Sequence, residues 1–360
     1  LKHNNNTITT AVRLMNNMPS EKYSMILGLD LLPQLDISIN VPFPGDNLSP
    51  VDDDFFDYKR RLGDIPELTD DQKLISNRIW LAVEGLVKTN KEIPTNVPCN
   101  IPECLVRLRT KPGLTSYRRY SINQCYQDIV RQQILDWYSK GYICQAPVGC
   151  RWNSPILVVP KKDENGNKTK HRICIDIRGM NAILEDDKYP IPNIKHILEQ
   201  LKGKSIFSTV DLTEGYLQFP INKEDQQKTS FIFENKVYMF KRAPFGIKTL
   251  PSIFQRVMSS LFSDLLFVSV YIDDIIISSN SPEEHTEHVK TVMNRLNKSN
   301  LRISPEKCNF GVPCVAVLGH VVNADGISPD NVKVQRVLNW KEPTSPKDLQ
   351  SFLGLVNYFS

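Results

Sequence analysis

Apolar residues recur at helical spacing over 68–89, and the phrase TDDQ at 69–72 has the form of a capping box, a side-chain acceptor answered three residues later by a glutamine. The spacing predicts a helix there. It predicts others over 121–140, stopping at Gly141, over 193–201, closed by Gly203, over 251–261, and over 282–297 with Glu283 and Glu284 in the first turn. Between them, short runs rich in Val, Ile, Phe and Tyr read as strands: 156–159, 172–176, 206–211, 231–233, 237–240, a piece near Arg302, and 315–322. In SVYIDDIIIS (269–278) two apolar runs flank Asp273 and Asp274, so the stretch reads as a hairpin with the acid pair at its turn. A last helix is predicted from Lys347 to the end. Hairpins mixed with helices, without an internal repeat, indicate an α+β fold.

Breaker-rich segments divide the chain. An apolar block at 25–40 reads as strand, short helix and strand, and VPFPGDNLSPVDDD (41–54) follows it as a linker, which places a domain boundary near residue 42. Residues 93–104, with Pro94, Pro98 and Pro102, form a second break.

The net charge of +4 says less than its distribution. Acids such as Asp52, Asp53, Asp54, Asp57, Asp64, Asp70 and Asp71 crowd the region before residue 104. Beyond it, 107–172 is basic, with Arg107, Arg109, Arg118, Arg119, Arg131, Lys161, Lys162 and Arg172 among its cations. A basic block suits a polyanion, although a solvated face has the same composition. The 8 cysteines form no C-x-x-C pair and have no histidine at metal-ligand spacing, so reduced thiols in an intracellular compartment are expected. No run of about eighteen apolar residues occurs, and no membrane span is expected. The chain begins with Leu1 and shows no signal-peptide pattern, which suggests a piece of a longer polyprotein.

Two acids at a turn, taken alone, fit a solvated hairpin as well as a site. A third changes the picture. Asp211 ends the predicted strand 206–211, and if that strand neighbours the 269–278 hairpin, Asp211, Asp273 and Asp274 meet at one sheet edge. Three carboxylates repel and raise one another's pKa unless cations intervene. Hard oxygen donors suit Mg²⁺, and a pair of such ions suits in-line nucleotidyl transfer.

An ordered set of phrases then carries a resemblance: NSPILVVPKKD (153–163), HRICIDIRGMN (171–181), FSTVDLTEGY (207–216), APFG (243–246), PSIFQ (251–255), YIDD (271–274) and VLGH (317–320). Together they resemble the reverse transcriptases of long-terminal-repeat retroelements, most closely the gypsy type, over roughly 100–360. The resemblance implies a right-hand polymerase with fingers, palm and partial thumb around an antiparallel palm sheet, adding deoxynucleoside triphosphates (dNTPs) to a primer on an RNA or DNA template. Asp211, Asp273 and Asp274 match its catalytic acids, and the Leu212 carbonyl matches a further metal ligand. Two Mg²⁺ ions are implied, with Mn²⁺ as an alternative. Lys161 and Arg172 match the residues that hold the triphosphate. Tyr216 matches the gate against a ribose 2′-hydroxyl, Phe245 and Gly246 the border of base and sugar, and Leu318 and Gly319 the primer grip. Core packing for Tyr216, surface charge for Lys161 and Arg172, and a bulge glycine for Gly319 are the plainer alternatives.

ILGLDLLPQLDISI (26–39) resembles the closing helix and strand of a retropepsin, without that family's catalytic loop. The expected organisation is therefore a protease remnant at 1–41, an acidic linker and helix at 42–100, fingers and palm at 101–316, and primer grip with truncated thumb at 317–360. LQSFLGLVNYF (349–359) matches the first long thumb helix, and Leu250 stands where the family more often has a small residue. Expected partners are template, primer, dNTPs and the rest of the Pol polyprotein (protease, RNase H, integrase), in cytoplasmic virus-like particles; the oligomeric state is left open. Two rivals remain: an RNA-dependent RNA polymerase, where the acid pair usually follows glycine instead of Ile272, and a retroelement fragment that binds nucleic acid without synthesis.

Overall fold

The computed structural model describes residues 2–3, 6–7, 68–113, 120–161, 170–272, 274–317, 319–329, 334, 337–340 and 352. The chain divides into two compact units, 1–61 and 62–360. In the first, β1 (Lys2–His3) and β2 (Asn6–Thr7) form an antiparallel pair. The expected retropepsin-like segment, the linker and the boundary near residue 42 lie outside the described residues, as does nearly all of the helix predicted from Lys347.

In the second unit the helices are α1 (Asp70–Lys91), α2 (Gln124–Ser139), α3 (Arg178–Ile183), α4 (Ile194–Leu201), α5 (Leu250–Phe262) and α6 (Pro282–Lys298). The strands are β3 (Ile143–Gln145), β4 (Ile156–Lys161), β5 (Lys170–Ile175), β6 (Ile206–Val210), β7 (Phe231–Phe233), β8 (Lys236–Phe240), β9 (Val268–Tyr271), β10 (Asp274–Ser279), β11 (Asn309–Val312), β12 (Cys314–Val317), β13 (His320–Asn323) and β14 (Gly326–Pro329). They form a four-stranded sheet in the order β11-β6-β10-β9, three-stranded sheets β12-β13-β14 and β3-β8-β7, and the ribbon β4-β5. Every pairing between these strands is antiparallel.

The four-stranded sheet is covered on both faces, which explains the continuous apolar run in β10. Ile275 and Ile277 join a cluster with Phe254, Val257 and Met258 of α5 and Val289, Val292 and Met293 of α6. Ile276 faces the other way, in a cluster with Phe207, with Ile197, Leu198 and Leu201 of α4, and with Val315 and Val322. All three isoleucines are wholly buried.

Helix α1 starts as its sequence demands, since both halves of the Thr69/Gln72 capping box form. It docks through polar bonds as well as apolar contact: Ser76 Oγ donates to the Phe310 carbonyl at 2.6 Å. Near its end the buried Asn90 donates to the Leu301 carbonyl at 2.8 Å and accepts from the Ile303 N–H at 2.8 Å.

Three expectations are adjusted. The single strand predicted over 315–322 is a hairpin, β12 and β13, with Val317 paired to His320. Gly319 sits in its two-residue loop at φ +77°, a left-handed backbone that a glycine adopts freely. The strand expected near Arg302 is an isolated bridge between Ile303 and Leu212, the ladder proper resuming at β11. The turn of the 269–278 hairpin is shifted by one residue: Tyr271 pairs with Asp274, so Asp274 begins β10 and Ile272 lies in the connection.

Candidate active site

The register of the four-stranded sheet brings the acids together. β6 and β10 pair from Ser279↔Ile206 to Ile275↔Val210. One step further along both strands, Asp211 stands opposite Asp274. The Asp274 carboxyl is raised above its usual range, first by desolvation and then by the Asp211 charge. Lys307 Nζ lies 3.4 Å from Asp211 Oδ1 and partly offsets that charge. Asp273 lies outside the described residues.

The backbone around Asp211 is held from the β11 side. The Ser304 N–H donates to the Asp211 carbonyl at 2.9 Å and the Thr213 N–H to the Arg302 carbonyl at 3.0 Å, flanking the Leu212–Ile303 bridge. In that pattern the polar groups of Leu212 itself point away from Ile303, towards the edge that β10 occupies.

A cleft of about 460 Å³ opens beside Asp211, with Arg172, Glu214, Tyr216, Phe245 and Lys307 in its wall. Tyr216, partly buried, stands edge-on to Phe245 (centroids 5.4 Å apart) and to Phe254 (5.5 Å). The Arg172 guanidinium lies 5.7 Å from the Phe245 ring centre, within cation–π range. Tyr216, Phe245 and Arg172 therefore form one continuous wall. Gly246 takes φ +101°, and its carbonyl accepts from Asn181 Nδ2 at 2.7 Å. Asn181 Oδ1 in turn accepts from the Lys248 N–H at 3.1 Å, so one side chain staples the 246–248 turn to α3.

Lys161 is the last residue of β4 and pairs with Lys170, while Arg172 pairs with Val159, so Lys161 stands diagonally across the ladder from Arg172. Gly319 belongs to the β12-β13 hairpin, and Leu318 lies outside the described residues. The structure thus joins Asp211, Leu212, Tyr216, Phe245 and Arg172 around one cleft, with Asp274 opposite Asp211 in the sheet register.

Reasoning from sequence had missed four residues here. Glu214 holds a left-handed φ of +48° and accepts from Tyr142 O–H at 2.9 Å, with Lys140 Nζ 3.7 Å away. Asn181 and Gln255 stood unremarked inside quoted phrases, and Lys307 lies two residues after Pro305 with no motif around it. Gln255 is buried and bonds to the backbone of β9 and of the following turn.

Residues 159–322 match the reverse transcriptase (RNA-dependent DNA polymerase) family. These residues belong to that family. The reverse transcriptase domain has relatives among retrotransposon proteins of Drosophila melanogaster. The retrovirus-related Pol polyprotein from transposon 297 is 36% identical over 67% of this chain and 23% of its own length. That from transposon gypsy is 31% identical over 94% of this chain and 33% of its own length. The chain therefore spans between about a quarter and a third of these relatives. Among solved structures, a foamy viral protease-reverse transcriptase in complex with RNA/DNA hybrid superposes with a TM-score of 0.68, at 24% identity, over 84% of this chain and 40% of the other. The α+β polymerase fold expected from the sequence is the fold observed.

Proposed function

We propose that this chain is the polymerase part of a retrotransposon Pol polyprotein, an RNA-directed DNA polymerase that adds dNTPs to a primer 3′-hydroxyl on an RNA or DNA template. The observation that carries the reading is the register that sets Asp211 opposite Asp274 beside a cleft walled by Arg172 and Tyr216.

Among the described residues no group of three His, Cys, Asp or Glu side chains is gathered around one point. The facing pair Asp211 and Asp274 nevertheless fits a hard divalent cation. Both donors are carboxylate oxygens, and a bound cation would offset the Asp211 charge that adds to desolvation in raising the Asp274 carboxyl. Asp211, Asp274, the Leu212 carbonyl and the adjacent Asp273 would hold Mg²⁺, or Mn²⁺ in its place. Bound there, divalent cations supply Lewis-acid activation of the primer hydroxyl and neutralise charge on the pyrophosphate side.

The chain's own side chains do the remaining work. Arg172 presents a planar guanidinium to phosphate oxygens at the cleft wall, and Lys161 adds a point charge from the same ribbon. Tyr216, buttressed by Phe245 and Phe254, narrows the cleft where a sugar would sit, so a 2′-hydroxyl meets the ring. Gly246 brings backbone close to the nucleotide, and the Leu318-Gly319 loop positions the primer end. Template, primer and the other Pol domains are the partners this reading requires.

Primer extension on RNA and DNA templates, with dNTPs and ribonucleoside triphosphates (rNTPs) in parallel, tests the reading. Template-directed DNA products support it. Preferential rNTP incorporation would make the chain an RNA polymerase, and binding without extension would make it a nucleic-acid-binding fragment.

A further inference from the structure

The acid-bearing turn has an unusual backbone. Tyr271 pairs with Asp274, so the connection between the strands begins at Ile272, and connections this short favour positive φ at their first position. Glycine or asparagine usually stands there. Here it is Ile272, at φ +51°, a conformation that β-branched residues rarely adopt.

One side chain opposes the relaxation of this turn. Gln255 lies on α5, is only 2% exposed, and spends both ends of its amide on the hairpin. Its Oε1 accepts from the Ile272 N–H at 2.9 Å, and its Nε2 donates to the Val270 carbonyl at 3.3 Å. Both bonds go to backbone, so they fix chain direction whatever the side chains are. If Ile272 relaxed to negative φ, the peptide leading into Asp273 would rotate, and the start of β10 at Asp274 would move with it. The neighbours Phe254, Val257 and Met258 are buried in the core, which gives Gln255 a rigid base.

We propose that Gln255 is a positioning residue for the polymerase site, holding Ile272 in its left-handed conformation and thereby fixing the start of β10 at Asp274. The proposal rests on the polymerase reading above. It assigns Gln255 no contact with substrate. Glycine at position 272 would adopt the turn unaided, so the need for the clamp should disappear with the isoleucine.

The experiment combines Gln255→Leu, Ile272→Gly and the double variant with two readouts. Hydrogen–deuterium exchange of peptides covering 267–276 reports the clamp without reference to activity. Steady-state primer extension gives kcat and KM for dNTP. Gln255→Leu is expected to speed exchange at the Ile272 amide and to lower kcat about tenfold, with KM changed less than about twofold. In the Ile272→Gly background the same substitution should cost less than about threefold. Gln255→Met, similar in size and lacking both bonds, should lose kcat like the leucine variant, and it serves if the leucine variant does not fold. Unchanged exchange in Gln255→Leu would overturn the clamp. Faster exchange with unchanged kcat, or an equal loss in the glycine background, would overturn the positioning role. A wild-type chain that never extends a primer would instead remove the polymerase reading, and the positioning role with it, whatever the exchange data show.

Discussion

Asn90 tests whether the segment behind Asp211 is held as the structure implies. Its side chain is 1% exposed and makes three bonds: to Asn297 Oδ1 at 2.6 Å, to the Leu301 carbonyl at 2.8 Å, and from the Ile303 N–H at 2.8 Å. Ile303 is the residue bridged to Leu212, and the next N–H, that of Ser304, supports the Asp211 carbonyl. Asn90→Ala strands the Ile303 N–H and the Leu301 carbonyl, both on buried residues. At roughly 1–3 kcal/mol for each orphaned group the loss is about 2–6 kcal/mol, near the upper end if the small cavity stays empty. Asn297 softens the loss little, because its own Nδ2 is already given to the Leu86 carbonyl at 3.0 Å. Urea unfolding followed by tryptophan fluorescence suits the measurement, since Trp80 of α1 sits 5.6 Å from Phe310 of β11 and reports their separation. The neighbouring Thr89, exposed and bonded within its own helix, is the control: Thr89→Ala should stay within about 0.5 kcal/mol of wild type. A loss below about 1 kcal/mol in Asn90→Ala would refute the anchoring of the 301–304 segment by α1.

Three further outcomes follow from the same geometry. His285 is wholly buried between Ser208 Oγ (2.6 Å) and Ser279 Oγ (2.7 Å), and burial depresses its pKa to about 4. Its contribution is complete above the unfolded value of about 6.5 and is lost as pH falls towards 4, so the Tm should drop across that window, by up to about 3 kcal/mol of stability, and His285→Gln should flatten the drop. Tyr216→Ala should admit rNTPs, measured as the ratio of kcat/KM for dNTP and rNTP; an unchanged ratio would leave Tyr216 as packing against Phe245 and Phe254. Binding of a fluorescent RNA–DNA hybrid should weaken steeply with salt and depend little on base sequence, and a flat salt response would reduce the basic 107–172 region to a solvated face.

Much of this was legible along the chain, for identifiable reasons. The Thr69/Gln72 capping box and the stops at Gly141 and Gly203 act within a few residues, so the sequence contains them whole. The facing of Asp211 and Asp274 was legible because two strong apolar runs surround the YIDD pair and a third ends at Asp211. Loop placement was less so: sequence centred the turn on the two aspartates, whereas strand pairing takes Asp274 into β10 and leaves Ile272, a poor turn residue, in the loop. The β12-β13 hairpin was hidden because its loop carries one turn residue, Gly319, amid valines. Helix α3 is six residues long and too short to show a period. Gln255 and Lys307 were beyond sequence for a different reason. Each acts on a partner brought near by the fold, across 17 residues to Ile272 and across 96 to Asp211, and neither spacing has a local signature.

Extension of a labelled primer by the wild-type chain, Asp211→Asn and Asp274→Asn, with Mg²⁺ and dNTPs under single-turnover conditions, tests the central claim most directly. The account predicts template-directed product from wild type and none above background from either variant. It also predicts that Asp274→Asn unfolds no earlier than wild type, because the substitution removes one of two facing like charges. Extension by Asp211→Asn at the wild-type rate would contradict it, and so would a wild-type chain that binds the duplex and leaves the primer unextended.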